Sequence, residues 1–257
     1  MVNLKKYPNA LVRIGITLTL LLTFSCGSQL HIEKVEGKQI AVADNITGKA
    51  DIEAFIQPYR SNIDKEMNTI LAFAPETLDK SGEWQSTIGN MMADAALEKA
   101  NAVFKLREKK EVDLSLLNFG GIRSILPKGN VTTRNAFEIM PFENSLVVAA
   151  MKGEHILEMV SYIIAEKKAH PVAGITFTIG KDNLAKNILI KGKPLESKKI
   201  YYVVTSDYLI NGGDKMDFFK KAVTTYELDY KLRNVLIDYF KEIKTIPVLK
   251  DIRISKE

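Results

Sequence analysis

Residues 114–148 read LSLLNFGGIRSILPKGNVTTRNAFEIMPFENSLVV, and the two ends of this stretch decide the predicted fold. The run from Val112 to Leu117 is apolar and β-rich, which predicts a strand that crosses a core and ends in a turn at Gly120-Gly121. A second apolar strand is predicted from Ser145 to Met151. Polar residues lie between the two strands, so the stretch predicts a functional loop supported by buried β-structure.

The turn after the first strand has the composition of an anion site. Asn118, Gly120, Gly121 and Arg123 lie within six residues. Glycine lets backbone N–H groups face a ligand without a Cβ in the way, and arginine offers a forked, permanently charged donor for phosphate or carboxylate. A tight turn with a surface arginine accounts for the same residues equally well, because short glycine motifs are weak signals.

Two later loops each contain an aromatic residue. In Pro141-Phe142-Glu143-Asn144 the proline fixes the direction of the chain, which makes Phe142 a candidate platform for a ring, although a core position is the more common role. The second loop follows a predicted strand at 200–204. It contains Tyr208, Gly212, Gly213 and Asp214.

The three loops together have the chemistry of a nucleotide site, provided that they meet in space. Phe142 and Tyr208 would stack on the two faces of a base. Asp214 would accept hydrogen bonds from the ribose hydroxyls, and Arg123 would lie near the phosphate. This arrangement is a hypothesis about convergence, which the sequence alone does not test.

These motifs resemble those of the C-terminal, substrate-binding domain of the 5'-nucleotidase family, which includes periplasmic UDP-sugar hydrolases and ecto-5'-nucleotidases. The pattern Asn-x-Gly-Gly-Ile-Arg appears at 118–123, Pro-Phe-x-Asn at 141–144 and aromatic-to-Gly-Gly-Asp at 208–214. A fourth, weaker match is the helix start Ile-Gly-Asn-Met-Met-Ala-Asp at 88–94. The order and spacing agree over roughly residues 50–255, so the resemblance covers nearly the whole predicted domain.

The resemblance implies a fold and a set of roles. The fold would be α/β (α+β-like), a mixed β-sheet covered by helices, as a single domain of the 5'-nucleotidase C-terminal type. Phe142 and Tyr208 would sandwich the base, and Asn144 would address its edge. Asp214 would take the ribose, while Asn118 and Arg123 would approach the phosphate or ribose.

Two departures from the family pattern stand out. The family generally has a further arginine seven residues before the Gly-Asn pair, where this chain has Gly82. Lys80 is the nearest replacement cation in the sequence. The second departure is larger: beside the matched region, the sequence shows no counterpart of the family's metallophosphatase domain.

Hydrophobic periodicity predicts the remaining elements. Helices are predicted at 51–70, 87–104, 153–165 and 226–240. A short helix that runs to Phe137 is also predicted, with Thr132 and Thr133 as its capping residues. Strands are predicted at 38–43, 172–179, 187–190, 200–204 and 248–254, with an extended linker beginning at 71–75. The apolar stripe of the helix at 51–70 is expected to pack against the core.

Composition fits one globular domain. The chain has 257 residues, of which 46% are hydrophobic and 26% charged. Its net charge of +5 depends on the amino terminus, since residues 26–257 contain 33 basic and 31 acidic side chains. No arginine-aromatic cluster of the kind that binds a nucleic-acid polymer is present.

The amino terminus has the layout of a secretory signal. A basic start precedes an apolar run from Ile14 to Phe24, which is about half of the ~20 residues that a spanning helix needs. Cys26 is the only cysteine and follows Thr-Phe-Ser, which resembles a bacterial lipobox although Phe24 is unusual there. We therefore predict a signal peptide at 1–25, a lipid-anchored tether at 26–49 and the domain at 50–257. Ordinary cleavage nearby and a structural thiol are the alternatives.

No residue of this chain is assigned a catalytic role. A family phosphatase domain needs two divalent metals and several histidines, but His31, His155 and His170 lack metal-like neighbours in the sequence. Surface or helix-face roles are expected for all three. Ser206 does not lie in a nucleophile elbow and is expected to act as a turn or cap hydroxyl.

These observations predict a nucleotide-binding substrate domain of a 5'-nucleotidase, with a role in nucleotide catabolism through phosphate-ester hydrolysis. It would work with a separate metallophosphatase chain that holds the divalent metals, and would be inactive alone; no cofactor is assigned to this chain. The alternative is a non-catalytic surface lipoprotein that captures nucleosides or nucleotides. A metal-independent hydrolase is a third interpretation, without an identified nucleophile. The expected location is the bacterial cell envelope, lipid-anchored on a periplasmic or surface face.

Overall fold

Apolar, β-branched runs form most of the strands in the computed structural model, which describes residues 8–22, 32–41 and 47–257. The strands are β1 Ile70–Ala74, β2 Leu114–Leu116, β3 Gly129–Thr132, β4 Ser145–Lys152, β5 Val172–Ala173, β6 Ile175–Ile179, β7 Ala185–Ile190, β8 Lys193–Pro194, β9 Ile200–Ser206, β10 Thr224–Lys231 and β11 Ile254–Lys256. The α-helices are α1 Pro8–Leu22, α2 Ala50–Met67, α3 Thr87–Glu108, α4 Thr133–Ile139, α5 Gly153–Glu166, α6 Asp207–Ile210 and α7 Leu232–Ile243.

The chain divides into two units, residues 1–52 and 53–257. In the first unit, α1 falls inside the predicted signal peptide, and residues 38–41 of the predicted strand at 38–43 have no regular structure. The rest of that strand, Cys26 and His31 lie outside the described residues. Within the described part of the chain, no helix is both long enough and apolar enough to cross a bilayer.

The second unit is built on a five-stranded sheet in the order β10-β4-β9-β2-β5. Strands β2 and β9 run parallel, whereas the other neighbours in this sheet pair antiparallel. A four-stranded sheet, β11-β6-β7-β8, is also mixed, and β1 pairs with β3. These sheets, covered by helices, confirm the predicted α/β (α+β-like) fold with mixed β-structure.

Helix α3 supplies much of one core. Its buried side is rich in alanine and methionine, which lets it lie close to the strands, and Phe104 is fully buried near its end. The Ser86 hydroxyl caps the helix by accepting a hydrogen bond from the Gly89 N–H at 3.1 Å. The helix continues four residues beyond the predicted end at 104, to Glu108, and Lys109 then adopts a left-handed conformation.

Four local predictions were wrong. Of the strand predicted at 248–254, only Ile254 lies in a strand, at the start of β11. Residues 226–231 belong to strand β10, because Tyr226 and Glu227 pair with Val148 and Val147 of β4, and only the later part of the predicted helix forms α7. Residues 71–74, predicted as linker, lie in β1. No residue of α2 is buried, so its apolar stripe does not pack as expected; Phe55 is 71% exposed.

Candidate functional site

The strand register brings the three predicted loops to one end of the central sheet. Strand β4 begins where β9 ends, since Leu146 pairs antiparallel with Ser206. Strand β2 runs parallel to β9, with Ser115 opposite Val204. The loop before β4 and the loops after β2 and β9 therefore emerge side by side, and the Asp207 carboxylate links two of them by accepting a bond from the Ser145 N–H at 3.1 Å.

A cavity of about 390 Å³ lies where these loops meet. Its lining residues are Asn118, Gly120, Gly121, Arg123, Phe142, Asn144, Tyr208 and Asp214. All of them were predicted as site residues from the sequence. Gly212 and Gly213, the other two predicted positions, are not among the lining residues. The loops thus converge as the nucleotide hypothesis requires, while the ligand itself stays a prediction.

Both aromatic rings are accessible at this cavity. Phe142 is 41% exposed and Tyr208 is 45% exposed, so neither side chain is part of the core. The Arg123 guanidinium carbon lies 5.9 Å from the centroid of the Phe142 ring, at the outer limit of a cation–π contact. The cavity therefore offers two aromatic surfaces and a permanent cation to one ligand.

The Asp214 carboxylate is held from two sides. The Tyr208 hydroxyl donates to Oδ1 at 2.8 Å, and the Asn118 side-chain amide donates to Oδ2 at 2.7 Å. The Tyr162 hydroxyl donates to the backbone carbonyl of Asp214 at 2.7 Å. Asp214 itself has a φ of 52°, which is uncommon for a residue other than glycine and is kept here by these contacts.

The two glycines before Asp214 shape its loop. Gly212 has a φ of 89°, a conformation that glycine adopts without steric cost. A Cβ on Gly213 would lie 2.5 Å from the Tyr208 ring, so only glycine lets the ring approach the backbone. Their role in the structure is conformational.

The predicted phosphate end of the cavity lacks the second arginine that the resemblance implies, and the backbone at that position also differs from what an arginine would need. Gly82 has a φ of 130°, and a Cβ there would lie 1.9 Å from the Gln85 carbonyl oxygen, so the backbone at this position excludes an arginine. The Lys80 ammonium donates to the Ile122 carbonyl at 2.9 Å and lies 3.8 Å from the Phe119 ring centroid. Burial and the charge of Arg123 lower the pKa of Lys80. Lys80 therefore lies beside the predicted phosphate end without lining the cavity.

His170 supports the turn at 118–121, which the sequence did not predict. It is only 2% exposed, so the expectation of a surface or helix-face role was wrong. Its Nδ1 accepts a hydrogen bond from the Phe119 N–H at 3.2 Å, and the Tyr162 ring lies 5.6 Å away, centroid to centroid. Burial lowers the pKa of His170 to about 4. The only local signal was Pro171, whose carbonyl accepts a bond from the Leu117 N–H.

A second cavity of about 370 Å³ adjoins the first across Gly120 and Asp214, which line both. Its other lining residues are Phe119, Tyr162, Glu166, Lys168, His170 and Lys215. Lys168 pairs with Glu166 at 2.6 Å, which raises the pKa of the lysine. Of the residues that line this cavity, Tyr162 holds the backbone of Asp214 in place. Apart from Gly120 and Asp214, none was predicted to contact the ligand.

The described residues do not fit a family metal centre. No group of three or more histidine, cysteine, aspartate or glutamate side chains in the described part of the chain lies close enough to hold a metal ion. His155 contacts Glu158 at 3.2 Å, and His170 uses its Nδ1 on a backbone N–H. The Ser206 hydroxyl accepts a bond from the Leu209 N–H at 3.3 Å, the cap role that the sequence predicts. These side chains therefore stabilise the fold locally and are not gathered as metal ligands.

Comparison with known proteins identifies relatives over most of the chain. A family model described as 5'-nucleotidase, C-terminal domain, matches residues 67–221. An apyrase from Tabanus yao is 22% identical over 255 residues, which cover 91% of this chain and 46% of the relative. A 5'-nucleotidase from Vibrio parahaemolyticus is 25% identical over 225 residues, or 83% of this chain and 38% of the relative.

A solved structure shares the fold. The 5'-nucleotidase precursor from Thermus thermophilus superposes with a TM-score of 0.69 at 24% identity, over 79% of this chain and 42% of that one. The chain spans less than half the length of the relatives named here. The family model covers more than half of the chain, and its match confirms the resemblance carried by the motifs. This chain belongs to the 5'-nucleotidase C-terminal domain family.

Proposed function

We propose that the cavity binds a nucleotide. The observation that supports this most directly is the convergence of Phe142, Tyr208, Arg123 and Asp214 on one space of about 390 Å³. Two exposed rings suit the faces of a base, a carboxylate suits ribose hydroxyls, and a guanidinium suits phosphate. Asn144 lines the same cavity and offers both a donor and an acceptor to the edge of the base.

The nucleotide-binding role would serve phosphate-ester hydrolysis in nucleotide catabolism through a separate metallophosphatase chain. That partner would supply the divalent metals and the nucleophile, for which the described residues offer no cluster. Holding the substrate in place is itself a large catalytic contribution, so a chain that only orients the nucleotide can make the pair an enzyme. The lipobox-like sequence at Cys26 supports placement at the cell envelope through a lipid anchor.

One observation favours the alternative of a lipoprotein that captures nucleosides or nucleotides without hydrolysis. The backbone at Gly82 excludes the arginine that the family pattern has there, and the Lys80 ammonium is already bonded to the Ile122 carbonyl. The cationic end is therefore weaker than the resemblance implies. A ligand without phosphate would lose little by this change.

Calorimetric titration of the purified chain with nucleosides and their 5'-monophosphates tests both proposals. The enzyme-subunit proposal expects tighter binding of the monophosphate, and Arg123→Met should remove that advantage while leaving nucleoside affinity unchanged. Equal affinities for the two ligands would support nucleoside capture. Absence of binding by every nucleotide and nucleoside would overturn both. Hydrolysis by the chain alone with added divalent metals is expected to be undetectable.

A further inference from the structure

The Asp214 carboxylate reaches the cavity with half of its accepting capacity in use. An ionised carboxylate has about four lone-pair sites. The Tyr208 hydroxyl takes one on Oδ1 and the Asn118 amide takes one on Oδ2. No further side-chain or backbone donor from the described residues bonds to either oxygen. One acceptor site on each oxygen is therefore left for a ligand.

We propose that the Tyr208 hydroxyl and the Asn118 amide are positioning residues that fix Asp214 as a two-point acceptor for a vicinal diol. The inference rests on the proposed function, in which Asp214 accepts from the ribose hydroxyls, and adds to it the two groups that position this carboxylate. Two oxygens fixed in one plane match two neighbouring hydroxyl donors. A deoxyribose or a ribose substituted at one hydroxyl leaves one of the two oxygens without its partner.

The Tyr208 hydroxyl acts on Asp214 at two points. It donates to Oδ1 at 2.8 Å and accepts from the Asp214 N–H at 3.2 Å, which closes a small ring of hydrogen bonds. The bond to the carboxylate raises the pKa of the Tyr208 phenol, so the group stays a donor at neutral pH. The hydroxyl thereby fixes both the backbone and the carboxylate of a residue that adopts a left-handed conformation.

The ring and the hydroxyl of Tyr208 have separable roles. The ring is the predicted stacking surface, and phenylalanine, which the resemblance places at this position, would preserve it. The hydroxyl reaches only Asp214 among the described residues. Tyr208→Phe therefore removes the positioning bond while keeping the stacking area, and Asp214→Asn keeps the shape of the side chain while removing its charge.

The experiment measures dissociation constants of the full chain for a ribonucleoside 5'-monophosphate and its 2',3'-dideoxy counterpart. The base is the one that wild type binds most tightly. In wild type the ribonucleotide should bind more tightly. Tyr208→Phe should lower the ratio of the dideoxynucleotide constant to the ribonucleotide constant about 3- to 10-fold, the range expected for one hydrogen bond. The change should come mainly from weaker ribonucleotide binding. Asn118→Ala should lower the ratio in the same direction.

A double variant tests whether Tyr208 acts through Asp214. In an Asp214→Asn background, Tyr208→Phe should have no further effect on the ratio. Tyr230→Phe is the matched control, because its hydroxyl donates to the Asp238 carboxylate at 2.6 Å and neither residue lines the cavity. This control should keep the wild-type ratio. Thermal unfolding confirms that each variant is folded.

The outcomes separate the two proposals. An unchanged ratio in a folded Tyr208→Phe variant overturns the positioning inference and leaves nucleotide binding intact. Tighter ribonucleotide binding by that variant also overturns it, because the hydroxyl would then compete with the ligand for Asp214. If wild type binds no nucleotide or nucleoside, the proposed function and this inference both fail.

Discussion

The two aromatic walls of the cavity are supported in different ways. The Tyr208 wall, residues 207–216, is held by the hydrogen bond from the Tyr162 hydroxyl to the Asp214 carbonyl, and the Tyr162 ring packs against the buried His170. The Phe142 wall, residues 141–145, is held by ion pairs that the exposed Glu143 carboxylate makes with Lys231 and Arg233. The difference teaches that one wall depends on a neutral, desolvated support, whereas the other depends on charges that water and salt can reach.

Arg233 is the centre of the second support. It is 8% exposed, donates to the Pro141 carbonyl at 3.3 Å and pairs with the exposed Glu143 carboxylate. Lys231 pairs with the same carboxylate. The backbone of the wall is tied to α7 as well, because the Leu232 N–H donates to the Asn144 carbonyl at 2.9 Å.

The largest expected difference between the supports of the two walls is the effect of acid on the free energy of unfolding, which acts through His170. Burial lowers the pKa of His170 from 6.5 to about 4. Below pH 6.5 the unfolded chain binds a proton at this residue, while the folded protein stays neutral until about pH 4. The free energy of unfolding should therefore fall by about 3 kcal/mol as the pH drops through this interval. Stability at neutral pH contains the whole contribution.

His170→Asn tests this prediction, because the amide oxygen can still accept the bond from the Phe119 N–H. Urea unfolding of wild type and variant is measured from pH 7 to pH 4. The free energy of the variant should depend less on pH, by about 3 kcal/mol over the interval. Glu166, Lys168 and Asp214 lie close enough to influence the histidine, so ionic strength is kept constant. Equal pH dependence in the two proteins would contradict the assignment.

Removal of each ring should have the next largest effect. Phe142→Ala and Tyr208→Ala should each weaken nucleotide binding by about 1–3 kcal/mol, the range known for stacking of a base on an aromatic side chain. Tyr208→Ala should lie at the upper end because it also removes the bond to Asp214. Titration with a ribonucleotide gives both values.

Phe73→Ala is the matched control for the ring deletions. Phe73 is 45% exposed, as Tyr208 is, and it lies on β1 outside the cavity lining. Its removal should leave nucleotide affinity unchanged. Wild-type affinity in both Phe142→Ala and Tyr208→Ala would sink the stacking arrangement, and a loss confined to Tyr208→Ala would show that only one wall contacts the base.

The residues that face the cavity were predictable because each motif borders an apolar strand, after β2 and β9 and before β4, and contains turn residues. Their supports were not. His170 and Arg233 reach the loops across 51 and 90 residues of sequence, and such contacts are set by packing rather than by local pattern. Residues 226–231 show the same limit, since pairing with β4 overrides the helical periodicity of the run.

The smallest expected effect is that of the Glu143 ion pairs on nucleotide affinity. These pairs respond to acid in a lower pH range than His170 does. Hydrogen bonds from Lys231 and then Arg233 lower the pKa of the Glu143 carboxyl below its ordinary 4.5. The support that this residue gives is present above pH 4.5 and is lost as the pH falls through the lowered value. Between pH 6.5 and 4.5, acid should therefore lower the free energy of unfolding through His170, while the ion pairs of Glu143 stay intact.

Glu143→Gln should reduce nucleotide affinity less than about fivefold at neutral pH, because exposed ion pairs contribute little, and added salt should shrink the difference from wild type. Glu158→Gln is the matched control, since Glu158 is likewise exposed and paired with a lysine, Lys221, away from the cavity. A loss as large as that of Phe142→Ala would mean that the Phe142 wall collapses without its surface charges. The contrast between a buried and a solvated support would then be wrong for this site.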